Sequence, residues 1–210
     1  MDSAMFSHIP AKLIVFEGID GTGKSTQIQL LKAWLELQGL GVACDFEPTR
    51  SHWGMKVRQA AANGERLSLD EEIECLLEDR REHVRHFIEP HLSAGDWVLL
   101  DRYYPSMMAY QGASGCNVEA LREMNEAFAP VPDLAFWLDI PLETALDRME
   151  QRGLARDAFE KEDFLQRCRD IYSGMDMPWL HRIAATGEQE QTHEAVLRII
   201  TEELAEPVRE

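Results

Sequence analysis

Eight consecutive residues near the start of the chain carry the most concentrated chemistry. Gly18-Ile19-Asp20-Gly21-Thr22-Gly23-Lys24-Ser25 has the spacing G-x-x-x-x-G-K-S/T. Glycines at those positions let the backbone wrap so that successive N–H groups point inward. A helix starting at the lysine adds the positive end of its dipole. Such a loop holds phosphates. Lys24 is expected to reach the β- and γ-phosphates of ATP and the Ser25 hydroxyl to ligate Mg2+, with Thr26 extending the binding set. A second pair, Asp101-Arg102, closes an apolar run, where a parallel sheet binds its ligands. Asp101 is expected to orient Mg2+-bound water and Arg102 to hold a second phosphate; an internal ion pair between the two is the alternative. No N-K-x-D guanine motif is present, and the run ends in an acid and a base rather than in paired acids. Both features argue against a GTPase or a motor. Arg148, Arg152 and Arg156 surround the aperiodic stretch 153–159, a candidate lid. An arginine brought in on closure stabilises charge on a transferring phosphoryl group; Arg152 and Arg156 are the expected pair.

The elements that must position these residues follow from periodicity. Leu13 to Phe16 is a short buried strand, and Lys24 to Gln38 follows with apolar Ile28, Leu31 and Leu35 on one helical face. Further strands are predicted at 42–46, 97–100, 134–138 and 182–185. Helices are predicted at 70–94, 141–152, 161–173 and 192–204, the first bent near Pro90. This alternation predicts an α/β fold: a five-stranded parallel sheet of the P-loop NTPase type, helices on both faces and a short helical lid. Residues 1–210 read as one domain, with 1–11 a flexible N-terminal segment and about 148–160 the lid.

Composition bounds the partners. With 38 acidic and 21 basic residues the formal charge is −17, so the chain should repel nucleic acid and anionic membranes. Anionic ligands must then be captured locally, by a few cations and backbone N–H groups. The four cysteines lack a C-x-x-C pair, no apolar run approaches the ~20 residues of a membrane span, and no secretory leader is read. A cytoplasmic protein with reduced thiols is expected. His83, His86 and His91 share one helical stretch but lack metal-site spacing; with Glu82 and Arg85 beside them they read as a solvated face.

Several segments together resemble the thymidylate kinase family: Phe16 to Thr26, Asp101-Arg102-Tyr103, Ala109-Tyr110-Gln111-Gly112, Pro132-Asp133-Leu134 and Arg152-Gly153. The resemblance spans about residues 12–172. It implies transfer of the γ-phosphoryl of ATP to the nucleoside monophosphate dTMP, with Mg2+, in a homodimer. It further implies that Asp20 helps place the acceptor near its sugar and phosphate. Arg102 would bind the acceptor phosphate, Arg80 reach the thymine ring, and Tyr110 and Gln111 lie beside deoxyribose and base. Arg50 would approach the acceptor phosphate, residues 184–187 would border adenine, and Gly21 in place of a basic residue implies that the lid supplies the mobile arginine.

Departures cluster at the base. Leu76 stands where the family usually has a stacking Phe, and Met107 where it has a small or polar residue. Two alternatives therefore stay open at this point: the same reaction on another (deoxy)nucleoside monophosphate, or a nucleotide-binding regulatory protein without turnover.

Overall fold

The computed structural model describes residues 10–65, 67–151 and 159–205, with the backbone alone at 159–161 and 204–205. Five parallel strands, β1 (Leu13–Glu17), β2 (Val42–Phe46), β3 (Trp97–Asp101), β4 (Leu134–Asp139) and β5 (Leu180–Ala184), form one sheet in the order β2-β3-β1-β4-β5. The expected sheet is present. β1 lies at its centre, in register with β3 (Val15↔Leu100) and β4 (Val15↔Ala135). The reversal of strand order on either side of β1 opens a crevice at its carboxyl end, and the phosphate loop begins there.

Side-chain alternation divides the core in two. Ile14, Phe16, Trp97 and Leu99 pack against Ile28, Leu31 and Leu35 of α1 (Lys24–Leu37) and Val196 and Ile200 of α9 (Gln189–Ala205). Leu13, Val15, Val98 and Leu100 face the other way, onto Leu76 of α3 (Leu69–His83), Tyr104, Met107 and Met108 of α5 (Tyr104–Ala113) and Leu121 of α6 (Val118–Glu126). A period of two thus buries both faces, which is why β1 and β3 read as continuous apolar runs.

The long helix expected at 70–94 is three pieces: α3, a π-helical turn at Val84–Ile88, and α4 (Glu89–Ala94) with Pro90 in its first turn. Three helices escaped periodicity: α2 (His52–Ala62), α5 and α6. α5 buries seven of its ten residues, so no polar face marks it as helical. α7 (Leu142–Gln151) and α8 (Phe159–Gly174) bracket the segment read as the lid. Among the described residues no helix is long and apolar enough to cross a membrane.

Candidate active site

The phosphate loop joins β1 to α1. Gly18, Gly21 and Gly23 have φ of 128°, 86° and 98°, which a Cβ would disfavour. At Gly21 a Cβ would also meet the Ala145 carbonyl oxygen at 2.6 Å, so α7 packs directly on the loop. Ile19 and Thr22 are buried beneath it, where Thr22 Oγ1 donates to the Ile19 carbonyl at 3.0 Å. Lys24, the first residue of α1, donates through Nζ to the carbonyls of Gly18 (3.1 Å) and Ile19 (3.0 Å). Burial and the nearby Arg102 guanidinium lower its pKa to about 8.

Beside the lysine, Ser25 Oγ donates to Asp101 Oδ2 at 2.7 Å. A hydroxyl and a carboxylate therefore stand together at the mouth of the loop. These are the hard oxygen ligands that Mg2+ takes, one or two from protein with phosphate and water supplying the rest. The residues fit the ion. The ion pair considered between Asp101 and Arg102 is not what holds them: Arg102 turns to Asp20 instead (Nη2 to Oδ1, 2.6 Å).

Arg102 is built with strain. Its φ of 74° is the only positive value at a non-glycine among the described residues, a conformation that persists where the surroundings over-determine it. Nη1 donates to Ser106 Oγ (3.0 Å) and Nη2 to Tyr110 Oη (3.3 Å), while the guanidinium carbon lies 5.1 Å from the Tyr110 ring centre. Ser106 Oγ in turn donates to Glu17 Oε2 at 2.6 Å, and Tyr172 Oη donates to the same oxygen at 2.8 Å. Full burial raises the Glu17 pKa against the hydrogen bonds that it accepts.

A cleft of about 970 Å3 runs from the phosphate loop past Arg102 to α3 and α5. Asp20, Gly21, Gly23, Lys24, Ser25 and Thr26 line one end. Arg50, Leu76, Arg80, Met107, Tyr110 and Gln111 line the other, with Asp101 and Arg102 between. Sequence-predicted residues from five separate segments thus share one space. Gln111 is buried, and its Oε1 finds no hydrogen-bond partner among the described residues; a ligand donor could satisfy it.

The far end is a buried polar knot that sequence reading only partly foresaw. Arg80 donates through Nε (2.8 Å) and Nη2 (2.6 Å) to Glu47 Oε2, and through Nη1 to Asn125 Oδ1. Met107 Sδ accepts from Arg80 Nη1 at 3.5 Å and from Asn125 Nδ2 at 3.4 Å. His83, read as part of a solvated face, is instead 5% exposed, with Nδ1 2.9 Å from Glu47 Oε1 and Nε2 3.4 Å from Asp45 Oδ2. Burial opposes its charge, but the Asp45 and Glu47 carboxylates outweigh that and raise its pKa to about 9. Glu47 is held low: burial pushes it up, and Arg80 and His83 more than compensate.

One further cleft cation was missed. Arg58 of α2 lies with its guanidinium 4.5 Å from the Phe46 ring centre, and the expected Arg50 sits over the same ring at 5.3 Å. Desolvation lowers the pKa of Arg58; the Asp79 carboxylate opposes this, and the like charges of Arg50 and Arg102 add to the lowering. Cations that repel one another across a cleft are arranged for an anion. Arg58 sits in no local motif, so only the fold reveals it. Arg148 is the lid-side arginine within the description, its Nη1 3.5 Å from the Gly21 carbonyl. Arg152 and Arg156 lie outside the described residues.

Known proteins match this chain over most of its length. The family model "Thymidylate kinase" matches residues 16–196. A thymidylate kinase of Akkermansia muciniphila is 52% identical over 190 residues, covering 90% of this chain and 91% of that one. One from Xanthomonas oryzae pv. oryzae is 47% identical over 194 residues, covering 92% and 85%. Among solved structures, the crystal structure of thymidylate kinase from Ehrlichia chaffeensis superposes with a TM-score of 0.74 at 26% identity. It covers 92% of this chain and 100% of that one.

Proposed function

Since this chain belongs to the thymidylate kinase family, we propose that it transfers the γ-phosphoryl group of ATP to dTMP, giving dTDP and ADP, in the cleft between Lys24 and Arg102. The observation that carries the reading is the shared cleft: a phosphate loop at one end and a second set of cations, Arg50, Arg58 and Arg102, lining the same space.

The loop N–H groups, the start of α1 and Lys24 hold the β- and γ-phosphates of ATP. Mg2+, when bound through Ser25 and the Asp101 side, supplies charge neutralisation to those phosphates. Arg102, fixed by Asp20, Ser106 and Tyr110, holds the acceptor phosphate, with Arg50 and Arg58 on its outer side. An acceptor phosphate oxygen then attacks in line. It is ionised at neutral pH and needs no general base, so catalysis is positioning and electrostatics. Arg148, Arg152 and Arg156 add their charge as the lid closes.

At the base end, Leu76 covers the ring by apolar contact without stacking. Arg80 arrives with most of its donors committed to Glu47 and Asn125. Gln111 offers an unpaired amide oxygen to the base edge or sugar. The reading of residues 1–210 as one domain, of 148–160 as its lid, and of the protein as a cytoplasmic homodimer belongs to the same proposal.

The test is ADP formation with ATP and Mg2+ across a panel of monophosphates. The highest kcat/KM is expected with dTMP. A dTMP value below that of dUMP, dCMP or dGMP would sink this acceptor assignment, and silence across the panel would sink the transfer reaction itself.

A further inference from the structure

Asp79 precedes Arg80 on α3, is 1% exposed, and is not among the residues that line the cleft. Its carboxylate accepts from Thr49 N (2.7 Å), Thr49 Oγ1 (2.5 Å) and Ser51 Oγ (2.6 Å). All three donors are neutral; among the described residues no cation lies within ion-pair distance of it, and the charge it acts on from further off is that of Arg58. A buried carboxylate costs free energy unless its hydrogen bonds are well made. What these bonds secure is therefore the informative question.

They secure the segment that carries Arg50 and meets Arg58. Ser51 is the N-cap of α2, accepting from Gly54 N at 3.1 Å, and Ser51 N itself donates to Thr49 Oγ1 at 3.0 Å. α2 sits flush on this knot: a Cβ on Gly54 would meet the Thr49 carbonyl oxygen at 2.4 Å and Asp79 Oδ1 at 2.7 Å. From the same helix, Arg58 Nε reaches back to the Pro48 carbonyl at 2.7 Å. Residues 47, 49 and 51 are thus each bound from α3, while Phe46, Pro48 and Arg50 line the cleft. The two arginines flank Phe46 only while both this segment and the start of α2 stay in place.

We infer that Asp79 is a positioning residue for Arg50 and Arg58, so that preference for a nucleoside monophosphate over its nucleoside runs through a carboxylate that never touches substrate. α3 then sets both ends of the acceptor with adjacent residues: Arg80 toward the base, Asp79 toward the phosphate. The inference rests on the proposal that Arg50 and Arg58 face the acceptor phosphate.

The experiment measures dissociation constants for dTMP and for thymidine by calorimetry, together with KM for ATP, on the full chain. Asp79→Asn and the double variant Thr49→Val, Ser51→Ala are expected to weaken dTMP binding at least tenfold, leaving thymidine binding and KM for ATP within about twofold. The double variant keeps the carboxylate and removes two of its donors, so it decides the matter if Asp79→Asn does not fold. Equal weakening of dTMP and thymidine overturns the inference, because it indicates general loss of the pocket. The double variant Arg50→Ala, Arg58→Ala tests the underlying proposal separately. If it leaves the dTMP-to-thymidine ratio intact, those arginines do not hold the phosphate. If it collapses the ratio while the Asp79 and Thr49/Ser51 variants do not, the positioning role is wrong.

Discussion

Replacing His83 by glutamine should remove a pH-dependent part of the stability whose size follows from the geometry. His83 lies between Asp45 of β2 and Glu47, with the Arg80 guanidinium on the far oxygen of Glu47 and the Phe87 ring stacked on the imidazole at 5.3 Å. Its pKa rises from 6.5 to about 9, and each unit corresponds to about 1.4 kcal/mol. The charged imidazole therefore favours the folded state by on the order of 3 kcal/mol. Below pH 6.5 both folded and unfolded chains are protonated, and the contribution is complete. Between 6.5 and 9 the unfolded chain has lost its proton while the folded chain keeps it, so stability declines; above 9 the contribution is gone. The substituted amide keeps a donor for Glu47 but carries no charge at any pH. Lys24 works in the opposite direction, since its folded pKa is lowered to about 8 and stability recovers as pH rises beyond that value. It does so equally in both proteins and cancels on subtraction. Urea unfolding followed by tryptophan fluorescence at about pH 6, 7.5 and 9.5 would read the difference. The wild-type advantage over His83→Gln is expected to shrink by about 3 kcal/mol across that range. Parallel pH profiles would refute the reasoning and return His83 to an uncharged core residue.

Lys24→Ala should cut ADP formation by roughly 10^3-fold or more without lowering the thermal midpoint at neutral pH, where the buried ammonium is charged at a cost, as steady-state kinetics and a melting curve would register. Arg102→Ala and Arg102→Gly should both lose transfer, yet the glycine variant should be about 1 kcal/mol more stable in urea, because it relieves the φ of 74°; equal stability would deny the strain. Leu76→Phe, which restores a ring over the base, should lower KM for dTMP by about 2- to 10-fold at unchanged kcat. An unchanged KM would place the base elsewhere than against residue 76.

The phosphate end of the site was legible because its chemistry is local. Glycines, a lysine and a serine at fixed spacing do their work within one turn, and β1 and β3 announce themselves by being buried on both faces. The acceptor end was legible only where a resemblance pointed, since its parts come from β2, α2, α3, α5 and α6. α5 gave no helical signal because it has little polar face, and Asn125 reaches Arg80 from 45 residues away. His83 could have been found. Leu76, Asp79, Arg80 and His83 fall at intervals of three and four, so they share one face of α3, and an apolar residue in that series marks the face as buried. Reading the charged neighbours Glu82 and Arg85 as its environment overlooked that periodicity. The lid residues that mattered most to the sequence reading, Arg152 and Arg156, lie outside the described residues.

A chain of formal charge −17 that binds two phosphorylated substrates poses an electrostatic problem, which the cleft answers by placement and not by excess charge. Its described lining carries five cations, Lys24, Arg50, Arg58, Arg80 and Arg102, and five carboxylates, Asp20, Asp45, Glu47, Glu72 and Asp101. Locally the site is balanced while the rest of the surface is acidic. The carboxylates are not spread evenly against the cations. Glu47 is occupied by Arg80 and His83 on the base side, and Asp20 steadies one edge of Arg102. In the proposed reading, Lys24 at the loop and Arg102 with Arg50 and Arg58 across from it then form one cationic pole for each substrate's phosphates. A balanced cleft has no surplus charge to neutralise an ATP and a monophosphate together. The remaining positive charge would, in the proposed mechanism, arrive with the substrates, as Mg2+ held by Ser25 and Asp101, and with Arg152 and Arg156. In the proposed mechanism, the full electrostatic stabilisation of transfer then exists only in the closed, fully loaded complex, and the open enzyme is left with little power to deliver the phosphoryl group of ATP to water.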